Sequence, residues 1–352
     1  MTTRPPQLPT GAPPVPAVLA VDVGGTSLKA AVVDASGRPV HRERRTTRTG
    51  TRGVADLTRL LGDLAAHAAA RGWRPVAAGV VTPGVVDDTT GVVEFAANLR
   101  WRSVPLRAEL ERATGLPVAV AHDARAAGRA EHLLSRSRAE TYAFVPIGTG
   151  ISAAVLTGGT PLAGATRSAG EFGHVAVHDG GEECGCGQRG CLEAYASASA
   201  VLRRYLARGG RGATSAADVV AALGRDTDAD AVWADAVEAL AIGLQGMTML
   251  LDPEEIVLGG GLSRAGTALL GPVTTALEGR LAWRPAPRVS ASRLGPAAGR
   301  VGAALLGFER AGLADHVHRW SASEVCGPDP DPRRVDVPAP AAVDSDGQVV
   351  GR

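Results

Sequence analysis

Apolar runs and turn-forming clusters alternate along the chain in an order that repeats. The stretch "AVLAVDVGGTSLKAAVVDASGRPVHRERR" (17–45) reads as an apolar run, a Gly-Gly turn, a second apolar run, an Asp-Ala-Ser-Gly turn and an alternating segment. That is the pattern of a β-meander. Leu57, Leu60, Leu61 and Leu64 then recur at helical spacing, with Gly72 beyond them, and predict a helix over about 53–71. The strand "VAAGVVT" leads into "PGVVDDTTGVVEFAANLRW", which reads as a hairpin and loop. Ser103 is predicted to cap a helix whose Leu106 and Leu110 share a face, and "LPVAVAHD" returns as a buried strand running into the helix "ARAAGRAEHLL".

The pattern then restarts. "TYAFVPIGTGISAAVLTGGTPL" is again strand, glycine turn, strand, followed by a Gly/Cys stretch and a helical region from about 190 to 250. The strand "EEIVLGGG", a helix over about 266–282, the short strand "RVSAS" and a helix over about 297–312 complete it. Two halves that open alike and continue with alternating β and α elements predict an α/β fold of two related domains. Residues 1–16 and roughly 314–352 are rich in Pro, Asp, Arg and small residues, and read as disordered tails.

Composition narrows the function. The 45% apolar content suffices for packed cores, and Lys+Arg 37 against Asp+Glu 36 leaves no field to hold nucleic acid or an anionic membrane. A small-molecule partner is expected. The proline-rich start lacks the charged and apolar regions of a secretory signal, and no charge-free apolar stretch of about 18 residues appears, so a cytoplasmic enzyme without a membrane span is expected. Only one basic residue is a lysine, Lys29; it receives no role from the sequence.

Glycine turns follow strands at "DVGGTSLK" (22–29), "IGTGIS" (147–152) and "LGGGLS" (258–263). Each can offer backbone N–H groups to an anion or simply turn a hairpin. Strands follow the first two, which excludes the dinucleotide fingerprint and the P-loop, both of which need a helix there. A facing pair of strand–turn–strand phosphate clamps remains, in which Asp22 orients Mg²⁺ and Thr26 and Thr149 donate hydroxyl hydrogen bonds. Asp123 ends a buried strand and begins a helix, where a carboxylate serves either as general base or as helix N-cap. His174, Cys184, Cys186 and Cys191 form a Cys₃His set suited to tetrahedral, structural Zn²⁺. A disulfide reading fits a cytoplasmic chain poorly.

These residues together resemble the ROK proteins (repressors, open-reading-frame proteins and sugar kinases), members of the actin-like ATPase and hexokinase superfamily. The match runs over roughly 17–312 and rests on "GHVAVHDGGEECGCGQRGCLE" together with "DVGGT", "TPG", "NLRW", "HDARAAG", "IGTGI" and "GGGLS". The resemblance implies an actin-like, ribonuclease H-like fold with ATP and a hexose in a cleft between two lobes. It implies an N-terminal lobe over 17–122, completed by the helix 297–313, and a C-terminal lobe over 123–296 carrying a zinc-bound loop at 171–193.

By position it implies a first phosphate motif at Asp22, Gly24, Gly25 and Thr26, a second at Gly148, Thr149 and Gly150, and an adenosine motif at Gly259, Gly260 and Gly261. Asp123 matches the base that takes the proton of the sugar 6-hydroxyl. Asn98, Glu171, His174 and Glu193 match sugar ligands, His122 stands at a further one, and His174 with Cys184, Cys186 and Cys191 matches the family's zinc site. A homodimer is also implied. The family commonly reads Asn-Asp-Ala-Asn where this chain has His122, Asp123, Ala124 and Arg125, and glycine where it has Ser152.

The function so implied is ATP-dependent phosphorylation of a hexose, glucose first, with N-acetylglucosamine or N-acetylmannosamine as alternatives. A repressor of the same family would carry a helix-turn-helix ahead of the first strand, and only about sixteen proline-rich residues precede it here. A sugar sensor without catalysis is the remaining alternative, because residues 122 and 125 flank the catalytic aspartate.

Overall fold

A computed structural model describes residues 15–327. In chain order the elements are β1 (Val15–Val23), β2 (Ser27–Asp34), β3 (Pro39–Thr46), α1 (Gly50–Ala69), β4 (Trp73–Thr82), β5 (Val85–Asp87), β6 (Val92–Ala96), β7 (Trp101–Val104), α2 (Leu106–Thr114), β8 (Val118–His122) and α3 (Asp123–Ser135). There follow β9 (Thr141–Pro146), β10 (Ala154–Thr157), β11 (Thr160–Pro161), α4 (Glu193–Ala196), α5 (Ala198–Ala207), α6 (Ala216–Ala222), α7 (Thr227–Leu251), β12 (Glu255–Gly259), α8 (Thr267–Glu278), β13 (Arg288–Ala291), α9 (Ala298–Arg310) and α10 (Ala322–Cys326).

The repeat seen along the chain becomes two sheets of matching topology. One has the order β3-β2-β1-β4-β8 and the other β11-β10-β9-β12-β13. In each, the first strand pairs antiparallel with its successor across the glycine turn and parallel with the strand on its other side. Parallel pairing requires cover on both faces, which is why Ala17 to Val21 is an unbroken apolar run with no exposure. A third, small sheet of β5, β6 and β7 makes the hairpin predicted at 83–101.

Helices α3 and α9 lie between the two large sheets and share one core with them, joining Val18 and Val81 of the first sheet to Phe144 and Leu156 of the second. Both helices are rich in Gly and Ala, and a methyl group added at Gly302 would come within 2.6 Å of the Ala126 backbone. Small residues therefore set how closely α9 approaches α3. On the far side, α1 packs its Leu57, Leu60, Leu61 and Leu64 stripe into the first sheet's outer core. Helix α7 has the length and mean hydropathy to cross a membrane, and half of that window is buried inside the fold, where Val232, Leu240 and Leu244 belong to the second sheet's core.

Three expectations are corrected. Strand β1 begins at Val15, inside the predicted N-terminal tail; residues 1–14 and 328–352 of the two predicted tails lie outside the described residues. Residues 314–327 fold: Trp320 is buried, stacks edge-on to Phe308 at 5.2 Å and donates its Nε1–H to the Ala35 carbonyl at 3.1 Å. Its ring lies over Gly37, which has φ +83° and where any Cβ would approach it within 2.6 Å. Val317 and Val325 are buried beside it, and Cys326, expected in a tail, is half-buried in α10. Ser103 does not cap α2. Pro105 is the N-cap, and Ser103 sits in β7 with φ +47°.

Candidate functional site

The two antiparallel hairpins present their glycine turns at the same end of their sheets. In the first, the Gly24 N–H donates to the Ser27 carbonyl at 3.0 Å, and Thr26 is exposed at the tip. Gly25 lies against Asn98, where a methyl group would sit 3.3 Å from Nδ2. Asn98 occupies a single 3₁₀ turn after β6, exposed and facing this turn.

Asp22 is the last residue but one of β1 and is 8% exposed. Burial raises its pKa, Lys29 acts against that, and the neighbouring Asp123 adds to it. Lys29 Nζ lies 3.3 Å from Asp22 Oδ2, because the β1–β2 register sets the two residues opposite each other. The chain's one lysine thus pairs with its buried first-turn carboxylate. Gly299 of α9 makes room for that carboxylate, since a Cβ there would stand 2.7 Å from Oδ2.

In the second turn, the Gly148 N–H donates to the Gly150 carbonyl at 2.9 Å, and Thr149 is exposed at the tip. Glu193, at the start of α4, accepts the Ile151 N–H on Oε2 at 2.8 Å, and its carboxylate fills the space that a side chain at Gly150 would need. Ser152 has no positive φ, so its side chain is accommodated. The third turn packs directly on the second. Ile147 donates its N–H to the Gly259 carbonyl at 3.0 Å, Gly260 has φ +75° against the Ile147 backbone, and Gly261 opens to space.

Asp123 is the first residue of α3, and His122 rather than Asp123 is the N-cap. The N-cap alternative for Asp123 therefore falls. Its side chain is about a third exposed (32%), its Oδ1 accepts the Ala124 N–H at 2.6 Å, and burial raises its pKa above the usual carboxylate range despite Arg125 and Lys29. His122 is buried and accepts the Arg125 N–H on Nδ1 at 3.4 Å. That acceptor role leaves the ring proton on Nε2, 3.5 Å from Asp123 Oδ1.

Burial and the Arg125 charge push the His122 pKa down to about 4, while Glu171 and Asp88 pull the other way. A folded-state pKa below the unfolded 6.5 means that the unfolded chain binds the extra proton. This contribution to stability is complete above about pH 6.5 and is lost as the pH falls toward 4, to the extent of roughly 2–3 kcal/mol. The raised carboxyls of Asp22 and Asp123 work in the opposite sense. Melting temperatures between pH 7 and pH 4.5 are expected to fall less for His122→Asn than for the parent; parallel curves would contradict the assignment.

Glu171 Oε2 lies 3.7 Å from His174 Nε2, so the other ring nitrogen of His174 is turned to the cysteines. His174 Nδ1 is 3.7 Å from Cys184 Sγ, Cys186 Sγ is 3.7 Å from Cys191 Sγ, and all four donor atoms lie within 4.8 Å of one another. Tetrahedral Zn–S bonds of about 2.3 Å place two sulfurs ~3.8 Å apart, so the donor set and spacing fit zinc. The loop is shaped for it: Cys184 N–H donates to the Gln188 carbonyl at 2.8 Å, Gly187 and Gly190 take positive φ, and Glu182 is anchored by Arg203 and Arg204 of α5.

The structure thus sets Asp22 beside Lys29 and Asp123, Asp123 beside His122, Asn98 on the first turn, Glu193 and Gly259–Gly261 on the second, and Glu171 beside His174 and the three cysteines. Sequence reading missed the part played by Lys29, whose signal was its place seven residues after Asp22 across a tight turn, and the acceptors of Arg125, whose signal was only its departure from the family pattern. Two other cavities, of about 290 Å³ beside His132 and Glu309 and about 690 Å³ beside Trp101 and Glu109, share no residue with this site.

Paired strand–glycine–strand turns on twin sheets, with a carboxylate at the start of the helix between them, define a phosphotransferase of the actin-like ATPase and hexokinase class. The sequence model of the ROK family matches residues 18–310, and the chain belongs to that family. It is 33% identical to a glucokinase of Streptomyces coelicolor over 83% of this chain and 97% of that protein. A kanosamine kinase of Amycolatopsis mediterranei is 35% identical over 70% of this chain and 80% of that protein. The ROK glucokinase of Streptomyces griseus, solved in complex with glucose and AMPPNP, superposes with a TM-score of 0.74 at 31% identity, over 83% of this chain and 99% of that one.

Proposed function

We propose that the protein transfers the γ-phosphoryl group of ATP to a hexose, with glucose as the first substrate and the 6-hydroxyl as acceptor. The observation that carries this reading is Asp123: a carboxylate on the first residue of α3, about a third exposed and 3.5 Å from His122 Nε2, whose charge also raises the pKa of the buried Asp22. Asp123 takes the hydroxyl proton as the phosphoryl group moves. The turns at Gly24–Thr26 and Gly148–Gly150 hold the phosphates through backbone N–H groups, and Gly259–Gly261 takes the adenosine. Asp22 already has Lys29 as a partner, so Mg²⁺ here would be held chiefly by phosphate oxygens and water, its usual ligands. Bound there, Mg²⁺ neutralises phosphate charge.

Asn98, His122, Glu171, His174 and Glu193 take the sugar hydroxyls. Zn²⁺ on His174, Cys184, Cys186 and Cys191 holds the sugar loop and supplies no reacting group. We assign the lobes to 15–122 with the helix 297–313, and to 123–296. The free thiols suit a cytoplasmic compartment, and the exposed Leu250 and Trp283, beside the Arg284–Asp252 pair, suit a homodimer contact.

A second reading, an amino- or acetamido-hexose as substrate, is favoured by His122. An amide both donates and accepts, whereas the neutral ring with Nδ1 engaged offers the sugar one N–H donor. Both readings are separated by ADP release measured with Mg-ATP over glucose, mannose, fructose, allose, N-acetylglucosamine, N-acetylmannosamine and kanosamine. Highest kcat/KM on glucose is expected. A clear preference for a nitrogen-bearing hexose would establish the second reading, and sugar binding without ADP from any of them would leave a sensor.

A further inference from the structure

We propose that Arg125 is a positioning residue that sets the spacing of the sugar site by tying the helix of the general base to the hairpin of Asn98 and to the loop that leads to Glu171. The proposal rests on the hexose kinase reading above. Arg125 is 2% exposed, an unusual place for a guanidinium. Its Nη2 donates to the Val86 carbonyl at 3.0 Å and to Asp88 Oδ1 at 2.9 Å, and its Nη1 donates to the Arg167 carbonyl at 3.1 Å.

Those three acceptors belong to different parts of the molecule. Val86 lies in β5 and Asp88 directly after it, in the small sheet whose second strand leads into the turn of Asn98. Arg167 lies in the loop after β11, four residues before Glu171. Asp88 Oδ1 also accepts the His122 N–H at 3.4 Å, so one carboxylate grips both the strand end before Asp123 and the arginine after it. A second link spans the same gap: Arg167 Nη2 lies 3.2 Å from Asp87 Oδ1.

Two residues along a helix is a rotation of about 200°, so the Arg125 side chain leaves α3 on the face opposite Asp123. It acts through the segments it holds, not on the reacting atoms. Burial beside one carboxylate that is itself 39% exposed, and two carbonyls, is an expensive way to make a merely solvated surface charge. The fork geometry explains the residue type, because a lysine ammonium cannot reach three acceptors in a plane.

The test uses Arg125→Asn, Arg125→Lys, Asp88→Ala and the Arg125→Asn/Asp88→Ala pair, with glucose Kd from calorimetry without nucleotide beside steady-state kinetics. Arg125→Asn is expected to raise glucose Kd and KM about tenfold or more while the KM for Mg-ATP stays within about twofold. Lysine is expected not to rescue, and the double variant to bind glucose no worse than Arg125→Asn alone, as for one shared network. If the Arg125 variants do not fold, Asp88→Ala decides: the same loss of glucose affinity supports the proposal, and an unchanged Kd overturns it. Variants that bind glucose as the parent does, with only a lowered Tm, overturn the proposal alone. A parent protein that neither binds nor phosphorylates any hexose overturns the functional reading and this one with it.

Discussion

Replacing Asp123 with alanine is expected to lower kcat by about 10²–10⁴-fold while glucose still binds. The base removes the hydroxyl proton only as the transition state forms, so its loss falls on kcat and spares ground-state affinity. Asparagine, similar in size but unable to take the proton, should behave alike. Because burial raises the Asp123 pKa, the acid limb of the pH–rate profile should lie above the ordinary carboxylate range, activity falling as the pH drops through it. The Lys29 charge lowers the Asp123 pKa, and Lys29→Met should move that limb to higher pH by removing a neighbouring positive charge. Calorimetry with glucose, run beside single-turnover kinetics, separates the two effects. Full kcat in Asp123→Ala would remove the central residue of the mechanism.

Stripping the proposed zinc is the second large effect. Its four donors lie in the loop that also carries Glu171 and ends at Glu193, so the metal's binding free energy is folding free energy for that loop. Chelation, or Cys191→Ser, is expected to lower the Tm by about 10 °C and to weaken glucose binding together. At saturating glucose, kcat should fall less than kcat/KM, since Asp123 stands outside the loop. Elemental analysis before and after chelation gives the stoichiometry. A demonstrably metal-free sample with undiminished glucose affinity would show that the four residues hold the loop unaided.

Most of the architecture was legible because the long elements are locally consistent. The Leu57–Leu64 stripe, the two strand–glycine–strand openings and the apolar strands at 118–122 and 255–259 each carry their own periodicity. What was lost depended on a neighbour or on distance. Ser103 looked like a cap, yet Pro105 holds Val104 extended, so the helix can begin only after the proline. The segment 314–327 looked like a tail because its anchorage is concentrated in Trp320 and two valines, and its receiving surface is a turn some 280 residues earlier. Arg125 was visible as a departure from the family pattern, but its acceptors lie 37 to 42 residues away, beyond any local spacing rule.

The seam between α3 and α9 has a mechanical consequence. Side chains that interlock resist translation, whereas a contact of glycine against backbone, as at Gly302 on Ala126, has little to disengage. Asp123 opens one of these helices and Asp22 rests against Gly299 of the other. The two carboxylates therefore sit like marks on either side of a sliding rule: any displacement along the seam is read out as a change in the distance between them.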